Sequence, residues 1–377
     1  MPKSPPVLDV IVMGEHPAAY LCAALLRQKG SLEVLHATLP HEHPPDRLVT
    51  VNPELFDLHA LLAPLRKKLK TTTVWGLQFL ADDEQASEPH RDKSPPALVA
   101  TYRDVRAVME KLAAGEGARC VKPKEVEVTH ADEAGVDVHL GSEKVRCRAV
   151  VVAGTIGPQS RRVLGLPESW PADVLRRYTF LRLKSPKWAD VAAKPTMPMS
   201  LDLRGRLTWA WLLPGGGDVQ LAVEQPIDAS NGIDGKALLR HWAGVLHRHG
   251  FLKSAGVPAD DAVSIDLPLA GALQREGVAN RALLIGPAGG FYSACGEDIY
   301  PNCWSALFAA DVLRKAIKEP HLQDALQPYR QKWGATLGDY LRGPQQNLRF
   351  LMTLIYRNKQ MTSRIAEAIL MGKSVIR

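Results

Sequence analysis

The sequence predicts an α/β protein with a Rossmann-like parallel core, an inserted antiparallel β-sheet and a helical C-terminus. Three observations predict it. An apolar strand, a glycine turn and a helix follow one another at residues 9–29 (DVIVM, GEHPAA, YLCAALLRQK), and LEVL at 32–35 opens a second strand, the start of a βαβ unit. The same order returns at residues 283–313, LLIGPAGGFYSACGEDIYPNCWSALFAADVL, with a helix starting near Gly296. Between these two segments lie runs that alternate with period two and turn at glycines, the pattern of half-buried antiparallel strands.

Taken in order, the first strand is Asp9–Met13, its turn Gly14–Ala19 and its helix Tyr20–Lys29, with Gly30 as the stop. From Pro40 to Pro96 the pattern weakens, and HEHPPDR, LLAPLRKKLK and DDEQASEPHRDKSPP suggest an insertion with exposed loops. Tyr102–Ala114 is an amphipathic helix, and KEVEVTHA, VDVHLG and KVRCRAVVVAG form a β-meander that feeds back into the parallel sheet. Residues 178–225 predict strands, among them RLTWAWLLPGGGDVQLAVEQP. A helix spans Leu238–Phe251, and the region from about Leu322 to Arg377 is helical and basic.

Composition narrows the function classes. A chain of 377 residues that is 46% hydrophobic can bury a large core. A formal charge of +7 is a mild bias toward anionic partners such as phosphates or lipid headgroups, too diffuse to indicate nucleic acid. The five cysteines (Cys22, Cys120, Cys147, Cys295, Cys303) are odd in number and widely spaced, so they indicate neither a disulfide framework nor a zinc site. A reducing cytosol is the simplest compartment. No stretch reaches the roughly 18 apolar residues of a membrane span, and neither an apolar leader nor a cleavage site precedes the first strand.

The first glycine turn is where chemistry can be argued. A dinucleotide turn needs small residues for a tight bend, for close approach of pyrophosphate and for helix-on-strand packing. Gly14 meets the first need and Ala19 the third, but His16 stands at the second. An acid roughly 20 residues on should hold a ribose hydroxyl, yet that strand ends LEVLHATLP, with His36 or Ala37 in its place.

Several segments in order resemble the geranylgeranyl reductase group of flavoproteins, within the fold shared with p-hydroxybenzoate hydroxylase and the flavin-dependent halogenases. Gly14, Pro17, Ala18 and Ala19 fall where that group has Gly-x-Gly-Pro-Ala-Gly. YRDVRAVMEKLAAGEGARCV resembles the segment whose arginine, here Arg103, reaches the flavin's ribityl or adenosine side. VVVAGTIGPQSRRVLGLP resembles Ala-Asp-Gly-x-x-Ser-x-x-Arg and keeps Gly157, Ser160 and Arg162. LTWAWLLP is similar to Tyr-x-Trp-x-Phe-Pro, and LLIGPAGG to the Gly-Asp-Ala-Ala-Gly turn that precedes Gly-Glu-Gly-Ile.

The resemblance implies FAD as cofactor, with Gly14, His16, Pro17, Ala18, Ala19, Arg103, Gly157, Gly286, Pro287, Gly289, Gly296 and Ile299 around it. It implies a substrate pocket at Trp209 and Trp211; it points to no catalytic residue and no metal. It divides the chain into residues 1–50, 101–177 and 271–320 as parts of the FAD domain, 51–100 as an insertion or part of the substrate domain, 178–270 as the β-sheet substrate domain, and 321–377 as the helical end.

The departures form a set. Ile156 and Pro287 stand where the group has acids, His16 and His36 change the first turn, and Asp298 in GEDI replaces a glycine beside the flavin's pyrimidine end. A carboxylate–hydroxyl hydrogen bond contributes roughly 1.5–3 kcal/mol, so losing two or three weakens cofactor binding by orders of magnitude.

Other features have structural explanations beside the functional ones. Trp209 and Trp211 resemble the Trp-x-Trp-x-Ile-Pro signature of halogenases, but alternation alone puts both on one strand face. Lys67, Lys68 and Lys70 are not placed at a tunnel end by the sequence, and the run Arg66–Lys70 reads as a solvated face or a lipid-headgroup contact. Cys295 and Cys303 read as buried and inert, and His241, His247 and His249 as surface residues.

Three functions stand open. The first is an FAD-dependent oxidoreductase of the geranylgeranyl reductase type, passing hydride to an apolar, isoprenoid-like substrate, cytoplasmic with room for peripheral membrane contact. The second is a flavin-dependent monooxygenase or halogenase. The third is a degenerate flavoprotein fold that no longer binds FAD and serves as a binding or interaction protein.

Overall fold

The computed structural model describes residues 8–30, 32–39, 45–184, 195–205, 208–227, 234–268, 277–292, 299–342 and 348–372. In chain order the strands are β1 (Leu8–Met13), β2 (Val34–Ala37), β3 (Leu48–Val51), β4 (Thr72–Val74), β5 (Gly76–Phe79), β6 (His90–Arg91), β7 (Ala97–Thr101), β8 (Arg119–Val121) and β9 (Val126–Ala131). There follow β10 (Val136–Leu140), β11 (Glu143–Val152), β12 (Leu175–Lys184), β13 (Thr196–Ser200), β14 (Trp209–Pro214), β15 (Asp218–Pro226), β16 (Val263–Pro268), β17 (Val278–Ala279) and β18 (Ala282–Leu284). The helices are α1 (Pro17–Arg27), α2 (Leu65–Lys68), α3 (Tyr102–Gly115), α4 (Pro158–Val163), α5 (Gly235–Arg248), α6 (Gly286–Gly289), α7 (Ile299–Ala316), α8 (Leu322–Ala325), α9 (Pro328–Arg342), α10 (Leu348–Arg357) and α11 (Lys359–Met371).

Among the described residues the strands form three sheets. The first runs β17-β18-β11-β1-β2-β8, with β10 joined to β11 and β9 to β10. Its pairings β18–β11, β11–β1, β1–β2 and β2–β8 are parallel, while the meander β9–β10–β11 is antiparallel. The return of β11 beside β1, with Met13 opposite Val152, is what a Rossmann-like core requires. One face of this sheet packs against α1, α3 and α7. Helix α1 is buried almost throughout; its alanines at 18, 19, 23 and 24 let it lie close against both neighbouring helices.

The second sheet runs β16-β12-β15-β14-β13-β5-β6 and is antiparallel except between β13 and β5. The alternation of WAWLLP decides its two faces: Trp209, Trp211 and Leu213 join Phe79, Tyr178 and Met199 under α10 and α11, while Ala210 and Leu212 face Trp242 of α5. The third sheet is β3-β7-β4.

The structure corrects several boundaries. Helix α1 starts at Pro17 rather than Tyr20, because His16 supplies an N-cap and proline suits the first helical position. Residues 40–96 are more than exposed loops: β3, β4, β5 and β6 lie there, too short to show a period. Strand β16 was not singled out, although VSIDLP at 263–268 alternates with period two. The helix start proposed near Gly296, together with Cys295, Glu297 and Asp298, lies outside the described residues, and α7 is described from Ile299. His247 is exposed as expected, but His241 and His249 are half-buried; His241 pairs with Asp82, and His249 bonds the Asp83 carbonyl at 3.2 Å. Among the described residues no helix is long and apolar enough to cross a membrane.

Candidate functional site

The first glycine turn is shaped by close packing at the ends of β1 and β11. Gly14 has φ +133°, and a Cβ there would come 3.0 Å from the Gly154 nitrogen, so only glycine fits. His16 follows in extended conformation, and its Nδ1 accepts a hydrogen bond from the Ala18 N–H at 3.1 Å. The Ala19 N–H donates to the His16 carbonyl at 2.8 Å. Pro17 has no N–H, so the first donors of α1 are either absent or already bonded within the chain.

An Nδ1 that accepts leaves the ring proton on Nε2. The Asn302 amide of α7 lies 3.2 Å from that nitrogen. Its oxygen is buried with no partner, and turning the amide to present the oxygen satisfies both groups. The same imidazole closes against the second turn: a Cβ on Gly286 would sit 3.5 Å from His16 Nδ1. One ring thus fills the gap between the two glycine turns, and every residue from Met13 to Tyr20 is buried.

The ribose side is closed by similar means. His36, next to last in β2, is fully buried, 2.7 Å through Nε2 from the Gly14 carbonyl and edge-on to Tyr20 at 4.5 Å. Burial pushes its pKa down to about 4, outweighing the Gly14 carbonyl and Glu110, which act the other way. The ring is therefore neutral near pH 7. Glu15, also buried, is paired with Arg106 of α3 at 2.7 Å, so a carboxylate stands beside the helix start where a phosphate would approach.

Sequence reasoning singled out Arg103, but that side chain is 69% exposed and pairs with Asp46 at 3.5 Å. Arg106 reaches the turn instead. Glu15, Arg106 and Asn302 were missed; the i, i+3 spacing from Arg103 is the signal that could have found Arg106, since it places that residue along the same helix. Arg47 is a further buried charge in this region, lying over the Tyr102 ring at 4.2 Å.

The remaining predicted positions are spread over two regions. Gly157 caps α4 with no side-chain bond. Ile156 is buried, Ser160 bonds the Val128 N–H at 2.9 Å, and Arg162 pairs with Glu168 on the surface. Pro287 occupies the first turn of α6, and Gly289 is required because a Cβ would lie 2.5 Å from the Phe291 ring. Ile299 is buried.

Trp211 stacks on Tyr178 at 5.4 Å, while Trp209 lies opposite Glu224 across the ladder. Glu224 is buried and accepts a bond from the Tyr292 hydroxyl at 2.8 Å, tying this sheet to the second glycine turn. Burial raises its pKa against the opposing pull of Arg176 and Tyr292.

Solved structures resemble this architecture along nearly its whole length. A geranylgeranyl bacteriochlorophyll reductase-like protein from Thermoplasma acidophilum superposes with a TM-score of 0.69 at 16% identity, over 97% of this chain and 92% of that one. PqsL, a probable FAD-dependent monooxygenase from Pseudomonas aeruginosa, gives 0.64 at 18% identity, over 93% and 100%. A mutant of halogenase PltM in complex with FAD gives 0.65 at 16%, over 97% and 77%. The fold is that of the FAD-dependent hydroxylases. No protein-family model matches the chain, and neither does any curated protein.

The residues at the turn do not fit FAD held in the manner of a dinucleotide turn. That manner needs free N–H groups at the helix N-terminus and open space beside the second small residue. Here the Ala18 and Ala19 donors are bonded to His16, the space holds its ring, and Glu15 adds a buried carboxylate.

Proposed function

We propose that this chain keeps the hydroxylase fold as a binding or interaction protein, with its dinucleotide turn sealed by its own side chains. The observation that carries the reading is the His16 imidazole, which caps α1 through Nδ1 and fills the space against Gly286. His36 on the Gly14 carbonyl and the Glu15–Arg106 pair support it from the ribose side. An anion entering this turn would have to displace the cap and the ring and meet the buried carboxylate, while gaining one net donor at most.

The second reading is an FAD-dependent oxidoreductase of the geranylgeranyl reductase type acting on an apolar, isoprenoid-like substrate. Fold likeness over 91–97% of the chain favours it. A monooxygenase or halogenase would share the same cofactor requirement and fail with it.

The discriminating experiment is the visible spectrum of the purified protein, followed by FAD titration with thermal melting. A colourless protein whose melting temperature does not move at millimolar FAD is expected. Bound flavin absorbance, or a rise in melting temperature that saturates with FAD, would overturn the sealed-turn reading and establish the second.

A further inference from the structure

A separate cluster lies at the edge of the second sheet. There β6, the outermost strand, packs against α11. His90 Nε2 is 3.2 Å from Asp92 Oδ2, and His90 Nδ1 is 3.0 Å from Ser363 Oγ of α11. Glu367, one helical turn after Ser363, completes the group: one ligand atom each from His90, Asp92 and Glu367 lies within 4.8 Å of the others. The side chains of His90 and Asp92 are 10% and 22% exposed, so the cluster is recessed rather than splayed into solvent.

We infer that His90, Asp92 and Glu367 bind a divalent transition cation of the zinc class, with Ser363 as the positioning residue for His90. The donor set is one imidazole nitrogen and two carboxylate oxygens, a mixture that suits zinc, cobalt or manganese over the all-oxygen preference of calcium and magnesium. Ligand bonds of roughly 2.0–2.2 Å in tetrahedral geometry put donor atoms about 3.4 Å apart. The His90–Asp92 separation of 3.2 Å already matches this, and the Glu367 carboxylate lies within 4.8 Å of both.

The contact between His90 Nδ1 and the Ser363 hydroxyl fixes the orientation of the ring. Without metal, Nε2–H donates to Asp92 and Nδ1 accepts from the Ser363 hydroxyl; a cation would select the other tautomer, with the Nε2 lone pair on the ion and Nδ1–H donating to Ser363. This is the outer hydrogen bond that metal-ligating histidines characteristically make. A dication balances the two carboxylates. The cationic residues closest to these ligands in sequence are Arg91 on β6, Lys93 just after Asp92, and Lys359 and Arg364 on α11. Lys359 is paired with Glu88 at 3.0 Å.

Bound there, the ion would fasten α11 to the sheet edge, and α11 is one of the helices that cover the face bearing Trp209 and Trp211. The sequence alone gives no hint of the site, because its two halves stand 273 residues apart.

The test uses the full chain stripped with chelator and titrated with zinc by calorimetry and with cobalt by visible absorbance. One equivalent of zinc, cobalt ligand-field bands and a higher melting temperature with metal are expected. Glu367→Gln, which preserves shape, should abolish that equivalent and the cobalt bands, as should His90→Gln. Ser363→Ala should weaken zinc binding by about 10–100-fold. Circular dichroism checks folding; should His90→Gln not fold, Glu367→Gln and Ser363→Ala decide the outcome. Absence of a zinc equivalent in the original protein, or unchanged zinc affinity in Glu367→Gln, would overturn the inference.

Discussion

Lowering the pH tests the part His36 plays in the sealed turn. The folded protein holds this ring neutral, with a pKa of about 4 against an ordinary 6.5, whereas the unfolded chain takes up a proton near the ordinary value. Between those values the unfolded state binds more protons, so stability is complete above about pH 6.5 and falls as pH drops toward 4. Multiplying the separation by about 1.4 kcal/mol per pH unit gives a total of about 3.5 kcal/mol. The loss already reached at pH 5 is about 2 kcal/mol.

His36→Gln isolates this contribution, because glutamine can still donate an N–H to the Gly14 carbonyl but does not titrate. Urea midpoints of both proteins at pH 7 and pH 5, converted to free energies, give a double difference in which the background of other titrating groups cancels. The original protein should lose about 2 kcal/mol more than the variant over that interval. Equal losses in the two proteins would refute the assignment of a neutral, buried His36 bonded to the turn.

Two further outcomes follow from the same region. His16→Ala should lower stability by about 1–2 kcal/mol through loss of the α1 cap, and an unchanged urea midpoint would show that the imidazole is not holding the helix start. Glu224 has a raised pKa in the fold, so the stability it lends is present at low pH and is lost as pH rises through the folded value. Glu224→Gln should therefore gain on the original protein between pH 5 and pH 8, and a stability difference between the two that stays constant over that interval would argue against a buried, protonation-sensitive carboxyl.

Elements with a strong local period were legible in the sequence. The meander from 126 to 152, helix α3 and the WAWLLP strand lie where alternation or a 3.6 period put them, because each buries one face and the pattern records which. Strands β4, β5 and β6, of four residues or fewer, carry no such record, since their pairing depends on partners distant in the chain. The site was legible in part. His16 and His36 stood out as misfits in a dinucleotide turn, but nothing local showed that their rings would turn inward, or that Glu15 and Arg106 would meet.

By itself, then, the sequence determined the α/β architecture with its two glycine turns and the chemical identity of the groups that break the FAD pattern. Tertiary structure alone decided what those groups do. The gap between Gly14 and Gly286 exists only when β1, β11 and β18 lie side by side, and Asn302 reaches His16 across 286 residues of chain. A misfit in sequence becomes a seal only when distant segments enclose it, because a hydrogen bond or a filled cavity depends on distances of a few ångströms that chain order does not encode.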